Sequence, residues 1–286
     1  MSFRVDFVGI GAGKCGSTWL HDNLVKHPEI CDHNLKELNY FSFHYENHPL
    51  AWYEAQFASC QPELKKGEFS VTYLAHPEAP ERIHRHFPEA ELLAIVRDPV
   101  KRTFSNYLHS IRKGDTAANQ PFSDYIKEER HLIPSRYVEH LERFNEYFPP
   151  EQMFVIITEE FVKDPLAGYR SLYKFLGVND VDFVPPRYDE VRNEARSYRF
   201  LWVENLLVRT YRKLSRSGYT KLVKKIVDSG VGESIRKLNR DSTSLPKIDE
   251  SSKLKLADYF RPLDERLAKT LGRDLSYWYS QGHRDV

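Results

Sequence analysis

A lysine set among glycines is the first place where this chain could do chemistry. In the run Gly11-Ala12-Gly13-Lys14-Cys15-Gly16-Ser17-Thr18-Trp19, small residues let backbone N–H groups approach a phosphate, and Lys14 adds a point charge. Two known patterns overlap there. Gly11, Gly13 and Gly16 match G-x-G-x-x-G, the dinucleotide fingerprint. That pattern is short, a lysine inside it is foreign, and the acid at the right distance, Asp32, does not end an apolar strand. The nucleoside-triphosphate loop wants Gly, four residues, then Gly-Lys-Ser/Thr. Gly13 and Lys14 fit it, but Val8 stands at the first glycine and Cys15 at the magnesium-binding hydroxyl. A thiol is a poor ligand for the hard Mg²⁺ ion. The loop therefore reads as a phosphate site that works without a metal, with Cys15 as a small filler rather than a nucleophile.

The elements that must position this loop alternate between strand and helix. Residues 3–10, "FRVDFVGI", read as a strand ended by glycines. Ser17 opens a helix with Trp19, Leu20 and Leu24 on its buried side, ending near Pro28. "LLAIV", 92–96, and "MFVIIT", 153–158, are near-continuous apolar runs, as in strands buried on both faces of a parallel sheet. Asp98 is placed to cap a helix whose first residue is Pro99. A further helix carries Leu166, Tyr169, Tyr173 and Leu176 on one face and stops at Gly177. This alternation predicts a doubly wound α/β fold. Ligands of such sheets sit outside the C-terminal ends of the strands, where "GAGKCGST" and "RDPVKRTFS" both fall. Residues 253–278 read as an amphipathic helix pair.

Two stretches together resemble the sulfotransferases that use 3′-phosphoadenosine 5′-phosphosulfate (PAPS). "GKCGSTWL" resembles their 5′-phosphosulfate loop, and "RDPVKRTFSNYLH", 97–109, their 3′-phosphate motif. The resemblance implies a P-loop-like three-layer α/β sandwich with a central parallel sheet, in one domain over 1–286. It implies that Gly13, Lys14, Cys15, Gly16, Ser17, Thr18 and Trp19 bind the cofactor. Ser17 and Thr18 would hold the 5′-phosphate and Lys14 would stabilise the leaving group. Arg97 and Ser105 would clamp the 3′-phosphate, Arg97 through its planar fork. "NLKELNYFSFHY", 34–45, resembles the Lys-Glu-x-His-Phe-Phe stretch of the heparan sulfate 3-O- and N-sulfotransferase branch. That resemblance makes Glu37 the base, with Lys36, Tyr40 and Phe41 on the acceptor, and Asn39 where His is common.

Other pieces match the same branch. "WYEAQF" brings Trp52, and "GEFSVTYL" brings Glu68, Ser70 and Tyr73 to the acceptor side. Phe69 stands where several relatives have a catalytic lysine. "SRYVEHLERFNEYFP" places Tyr137, and "RNEARSYR" places Arg196 and Ser197, at the cofactor. The C-terminal "RLAKTLGRDLSYW" is similar to bacterial members.

The bulk properties are consistent with this and narrow little. A net charge of +1 over 286 residues names no partner. Three cysteines are too few and too scattered for a disulfide framework or a zinc ribbon, which points to a reducing compartment. No signal peptide or ~18-residue apolar run is legible, so the expected location is cytoplasmic. His76, His84 and His86 read as ordinary surface residues, because i, i+2 spacing puts two histidines on different helix faces. From 196 to 240 there are twelve Lys or Arg against three acids. That stretch reads as a solvated helical face or as a dock for an anionic substrate or membrane surface. The expected reaction is transfer of SO₃ from PAPS to a hydroxyl, or an amine, of a carbohydrate, glycolipid or secondary metabolite. No metal is called for and no nucleic acid is expected. The alternatives are a P-loop nucleotide kinase and a non-enzymatic module that binds anionic glycan or membrane.

Overall fold

A computed structural model of the chain describes residues 3–31, 36–117, 119–189 and 247–280. Arg196, Ser197 and the basic 196–240 stretch lie outside the described residues. The chain divides into two compact units. One holds Met1–Thr103, Ile126–Asn193 and Glu250–Val286, and the other holds Phe104–Tyr125 and Glu194–Asp249.

The first unit is built on a four-stranded sheet in the order β2-β1-β3-β4. Its strands are β1 (Phe7–Gly11), β2 (Gly67–Phe69), β3 (Glu91–Val96) and β4 (Met153–Ile157), and every pairing is parallel. All five residues of β1 and five of the six in β3 are buried. A strand closed on both faces needs layers of chain above and below it, so the apolar runs do predict an α/β sandwich with a central parallel sheet. β2 is too short and too polar to announce itself as a strand; it is an edge strand paired to β1.

The helices of this unit are α1 (Ser17–Leu24), α2 (Leu50–Ala55), α3 (Ala79–His86), α4 (Pro99–Lys113, which runs on into the second unit), α6 (Tyr137–Asn145), α7 (Thr158–Lys163), α8 (Pro165–Leu176) and α9 (Glu250–Leu271); α5 (Phe122–Tyr125) belongs to the second. Asp98 Oδ1 accepts from Val100 N (2.9 Å) and Lys101 N (3.2 Å), which is the expected cap of α4. Gly177, left-handed at φ 63, ends α8. In the second unit, Phe104, Tyr107, Phe122 and Tyr125 pack ring on ring.

Four expectations are corrected. Cys31 and Cys60 form a disulfide across 29 residues. Two cysteines suffice for one bridge, and spacing alone could not show that β2 and the end of α1 bring them together. The expected helix pair at 253–278 is one helix, α9, carrying Pro262 inside it, followed by a single turn at Ser276–Trp278. Leu166 is exposed, because the first turn of α8 lies beyond the core that Tyr169, Tyr173 and Leu176 enter. The three histidines are half-buried rather than on the surface; His84 meets the Phe148 ring and His86 Nε2 the Tyr45 hydroxyl. Among the described residues no helix is long and apolar enough to cross a membrane.

Candidate active site

The phosphate loop is the turn between β1 and α1. Gly11 (φ 122) has room for no side chain, since a Cβ there would lie 2.6 Å from the Val71 carbonyl oxygen. Gly16 (φ 90) is the residue before α1, and Lys14 is also left-handed at φ 72. Left-handed residues two apart are the geometry of anion-binding nests. Helix α1 receives no side-chain cap, and Leu20 N–H, bonded to Gly16 O at 3.0 Å, is the first to close back into the helix. The N–H groups of its first turn therefore lie outside the helix's own ladder, at the positive end of its dipole. A phosphate-like group fits this donor set.

The loop is held from beneath. Ala12 N–H bonds Ile95 O at 2.8 Å, tying it to the end of β3. Thr158 Oγ1 lies within hydrogen-bond distance of both Cys15 O (2.7 Å) and Val96 O (2.8 Å). Arg102, almost wholly buried, donates from Nε to Gly13 O (3.1 Å) and from its terminal nitrogen to Ser135 Oγ (3.3 Å). No sequence motif singles out Arg102. The available signal is a cation in the first turn of a helix, where the dipole disfavours it unless a specific partner waits.

Cys15 and Tyr137 are both fully buried and face each other, sulfur to hydroxyl, at 3.6 Å. Their side chains brace the loop from within the protein, which leaves the backbone N–H of Cys15 to face a ligand. Burial pushes the Cys15 thiol up to about 11, which fits a filler and not a nucleophile. Trp19 is buried as well and donates to Arg187 O at 3.2 Å. Arg97 follows the last residue of β3, the strand beside β1, and is half-buried. Ser105 lies within α4, in the second unit.

The acid-bearing segment is built differently. Glu37 is exposed and left-handed at φ 59, and Asn39 is left-handed at φ 50. A bulky side chain with positive φ is uncommon and is held only where the surroundings over-determine it. What holds it is a network under the segment. Glu68, Ser70 and Tyr73 are fully buried; Ser70 Oγ and Tyr73 OH donate to the Glu68 carboxylate at 2.5 and 2.6 Å. Ser70 Oγ accepts from Asn39 N (2.9 Å), Tyr73 OH accepts from Phe41 N (3.4 Å), and Thr72 Oγ1 donates to Asn39 Oδ1 (2.7 Å). Burial pushes the Glu68 carboxyl up to about 7, against the hydrogen bonds that favour its charge. Residues Tyr40–His44 then wind as a short π-helix, and the Arg82 guanidinium donates to Phe41 O and Ser42 O, both at 3.3 Å.

Glu68, Ser70, Tyr73, Tyr40 and Phe41 are buried inside the protein, where they shape the acid segment. Trp52 is half-buried and stacks on His48. Phe43 faces outward at 62% exposure. Phe69 is fully buried against Gly9, where even a Cβ would meet its ring at 2.1 Å, so that position offers no room for a charge.

One contact joins the two halves: Lys36 Nζ donates to Thr18 Oγ1 at 2.6 Å. The acid segment is thereby fastened to the first turn of α1 through the residue that precedes Glu37. An anion cradle at the strand ends, a neighbouring arginine and an exposed acid are thus carried on one α/β sheet. The chain belongs to the sulfotransferase family, whose domain matches residues 5–250.

Relatives agree. The chain is 28% identical to the human bifunctional heparan sulfate N-deacetylase/N-sulfotransferase 3 over 96% of its own length and 31% of that protein's. It is 26% identical to the human heparan sulfate glucosamine 3-O-sulfotransferase 5, covering 94% of this chain and 72% of that one. Thus it spans about a third of the bifunctional relatives. A crystal structure of a sulfotransferase from Alicyclobacillus acidocaldarius superposes with a TM-score of 0.71 at 25% identity, over 98% of this chain and all of that one.

Proposed function

We propose that the chain transfers a sulfuryl group from PAPS to a hydroxyl or amine of a carbohydrate or glycoconjugate. The observation that supports this reading is the Lys36–Thr18 contact, which ties the residue before Glu37 to the uncapped start of α1. PAPS supplies the sulfuryl group. The N–H groups at the start of α1 and Ser17 and Thr18 bind the 5′-phosphate, with Lys14 at the oxygen that departs. Arg97, at the end of the adjacent strand, takes the 3′-phosphate as a fork. The acceptor atom attacks sulfur in line and passes its proton to the Glu37 carboxylate. The electron pair of the broken S–O bond stays on the departing phosphate, where preorganised positive charge stabilises it. Exposed Phe43 offers an apolar face on which a sugar ring can stack.

Calorimetric titration without acceptor tests the donor assignment. The expected result is metal-free binding of 3′,5′-ADP, weakened in Arg97→Ala by about the 1.5–3 kcal/mol of a charged hydrogen bond. Binding of 5′-ADP should be nearly unchanged by that substitution. Preference for Mg·ATP would return the loop to the kinase reading.

A further inference from the structure

We propose that Lys36 contacts the transferred group itself, as a second cation beside Lys14, and is not an acceptor-binding residue. This rests on the PAPS reading above. Lys36 is half-buried, and burial is the first cause drawing its ammonium below the usual lysine range; the nearby Glu37 and Asp22 carboxylates act against that shift. Its hydrogen-bond partner is a neutral hydroxyl, Thr18 Oγ1, which satisfies one of three N–H donors. Thr18 lies in the first turn of α1, the positive end of that helix dipole, where a cation is disfavoured.

A half-buried ammonium is thus held at an electropositive helix start, with its hydrogen bond to a neutral hydroxyl. Glu37 and Asp22 offset part of the cost of that placement, and an anion above the helix start would offset more. Thr18 is exposed, and its oxygen accepts from Lys36, so its own O–H is available to donate to an anion there. Lys36 and Thr18 together form a two-donor clamp within reach of whatever sits above the start of α1. Lys36 directly precedes Glu37, so the clamp joins the start of α1 to the segment that carries the proposed base. That is where the sulfuryl oxygens must pass as the bond to the departing phosphate breaks and the bond to the acceptor forms. A cation there stabilises the charge those oxygens carry in transit.

The test compares PAPS with 3′,5′-ADP, which has the same phosphates and no sulfuryl group. Lys36→Met keeps the apolar stem and removes the charge. It should bind 3′,5′-ADP as the wild type does, bind PAPS at least ~10-fold more weakly, and cleave PAPS ~10²–10³-fold more slowly. Lys36→Arg, which keeps the charge, should recover part of the PAPS discrimination. Equal weakening of both nucleotides would make Lys36 a structural pin and overturn the proposal. Unchanged PAPS affinity and rate would overturn it too. Wild-type protein that fails to bind 3′,5′-ADP would sink the donor reading first and this inference with it.

Discussion

The phosphate loop and the acid segment lie side by side, yet they are built by opposite means. The loop takes its shape from its own residues: glycines at left-handed positions, an uncapped helix, and a strand end that anchors it. The acid segment borrows its shape. Glu37 and Asn39 are not glycines; Ser70 and Thr72, from the turn after β2, hold Asn39, Tyr73 holds Phe41, and Asn39 Nδ2 in turn donates to Glu37 O. Perturbing the loop should therefore act on nucleotide affinity. Perturbing the support of the acid segment should act on turnover while the nucleotide still binds.

The sharpest way to break this comparison is Glu37→Gln. Loss of a general base costs ~10²–10⁴-fold in rate, and 3′,5′-ADP affinity should stay at the wild-type value. A mutant that turns over normally would remove Glu37 from the chemistry. The next largest effect is expected at the disulfide. The Cys31–Cys60 bridge ties the chain leading into Lys36 to the turn before β2. Cys31→Ser should lower stability in urea by ~2–4 kcal/mol and reduce turnover more than nucleotide affinity. Thiol titration of the denatured wild type without reductant should find one thiol, Cys15; three would mean the bridge is absent.

The smallest effect concerns pH. Burial holds the Glu68 carboxyl at about 7, above its ordinary 4.5. Between those values the folded state keeps a proton that the unfolded state has lost, so stability falls as pH rises through that window. Asp98, at about 6, and Asp264, at about 7, act in the same direction. Glu68→Gln keeps an acceptor for Ser70 and Tyr73 and removes one of these titrations. Its urea midpoint should drop less than the wild type's between pH 5 and pH 8. Equal drops would show that Glu68 does not titrate in this range.

Much of the cofactor side is legible in the sequence. β1 and β3 are apolar runs whose burial needs no partner to be read, whereas β4, equally apolar, lies at the sheet edge with only Ile156 and Ile157 buried; Asp98-Pro99 is a local start signal that needs only its own helix. Arg97 follows from being the residue after such a run. The acceptor side is legible by type and not by role. Glu68, Ser70 and Tyr73 stand out as a group, but their mutual hydrogen bonds are not legible, because a carboxylate, a hydroxyl and a phenol look alike whether they face substrate or each other. Arg102 escapes notice for a related reason: its partners, Gly13 O and Ser135 Oγ, are distant in sequence.

Local spacing is enough for the order of the elements, the loop and its lack of a magnesium hydroxyl, since each depends on residues within one turn or strand. The exposure of Glu37, the reach of Lys36 to Thr18 and the Cys31–Cys60 bridge depend on segments separated along the chain. Such contacts form when the parallel strands align, because only the sheet's register brings β2 and its turn under the acid segment.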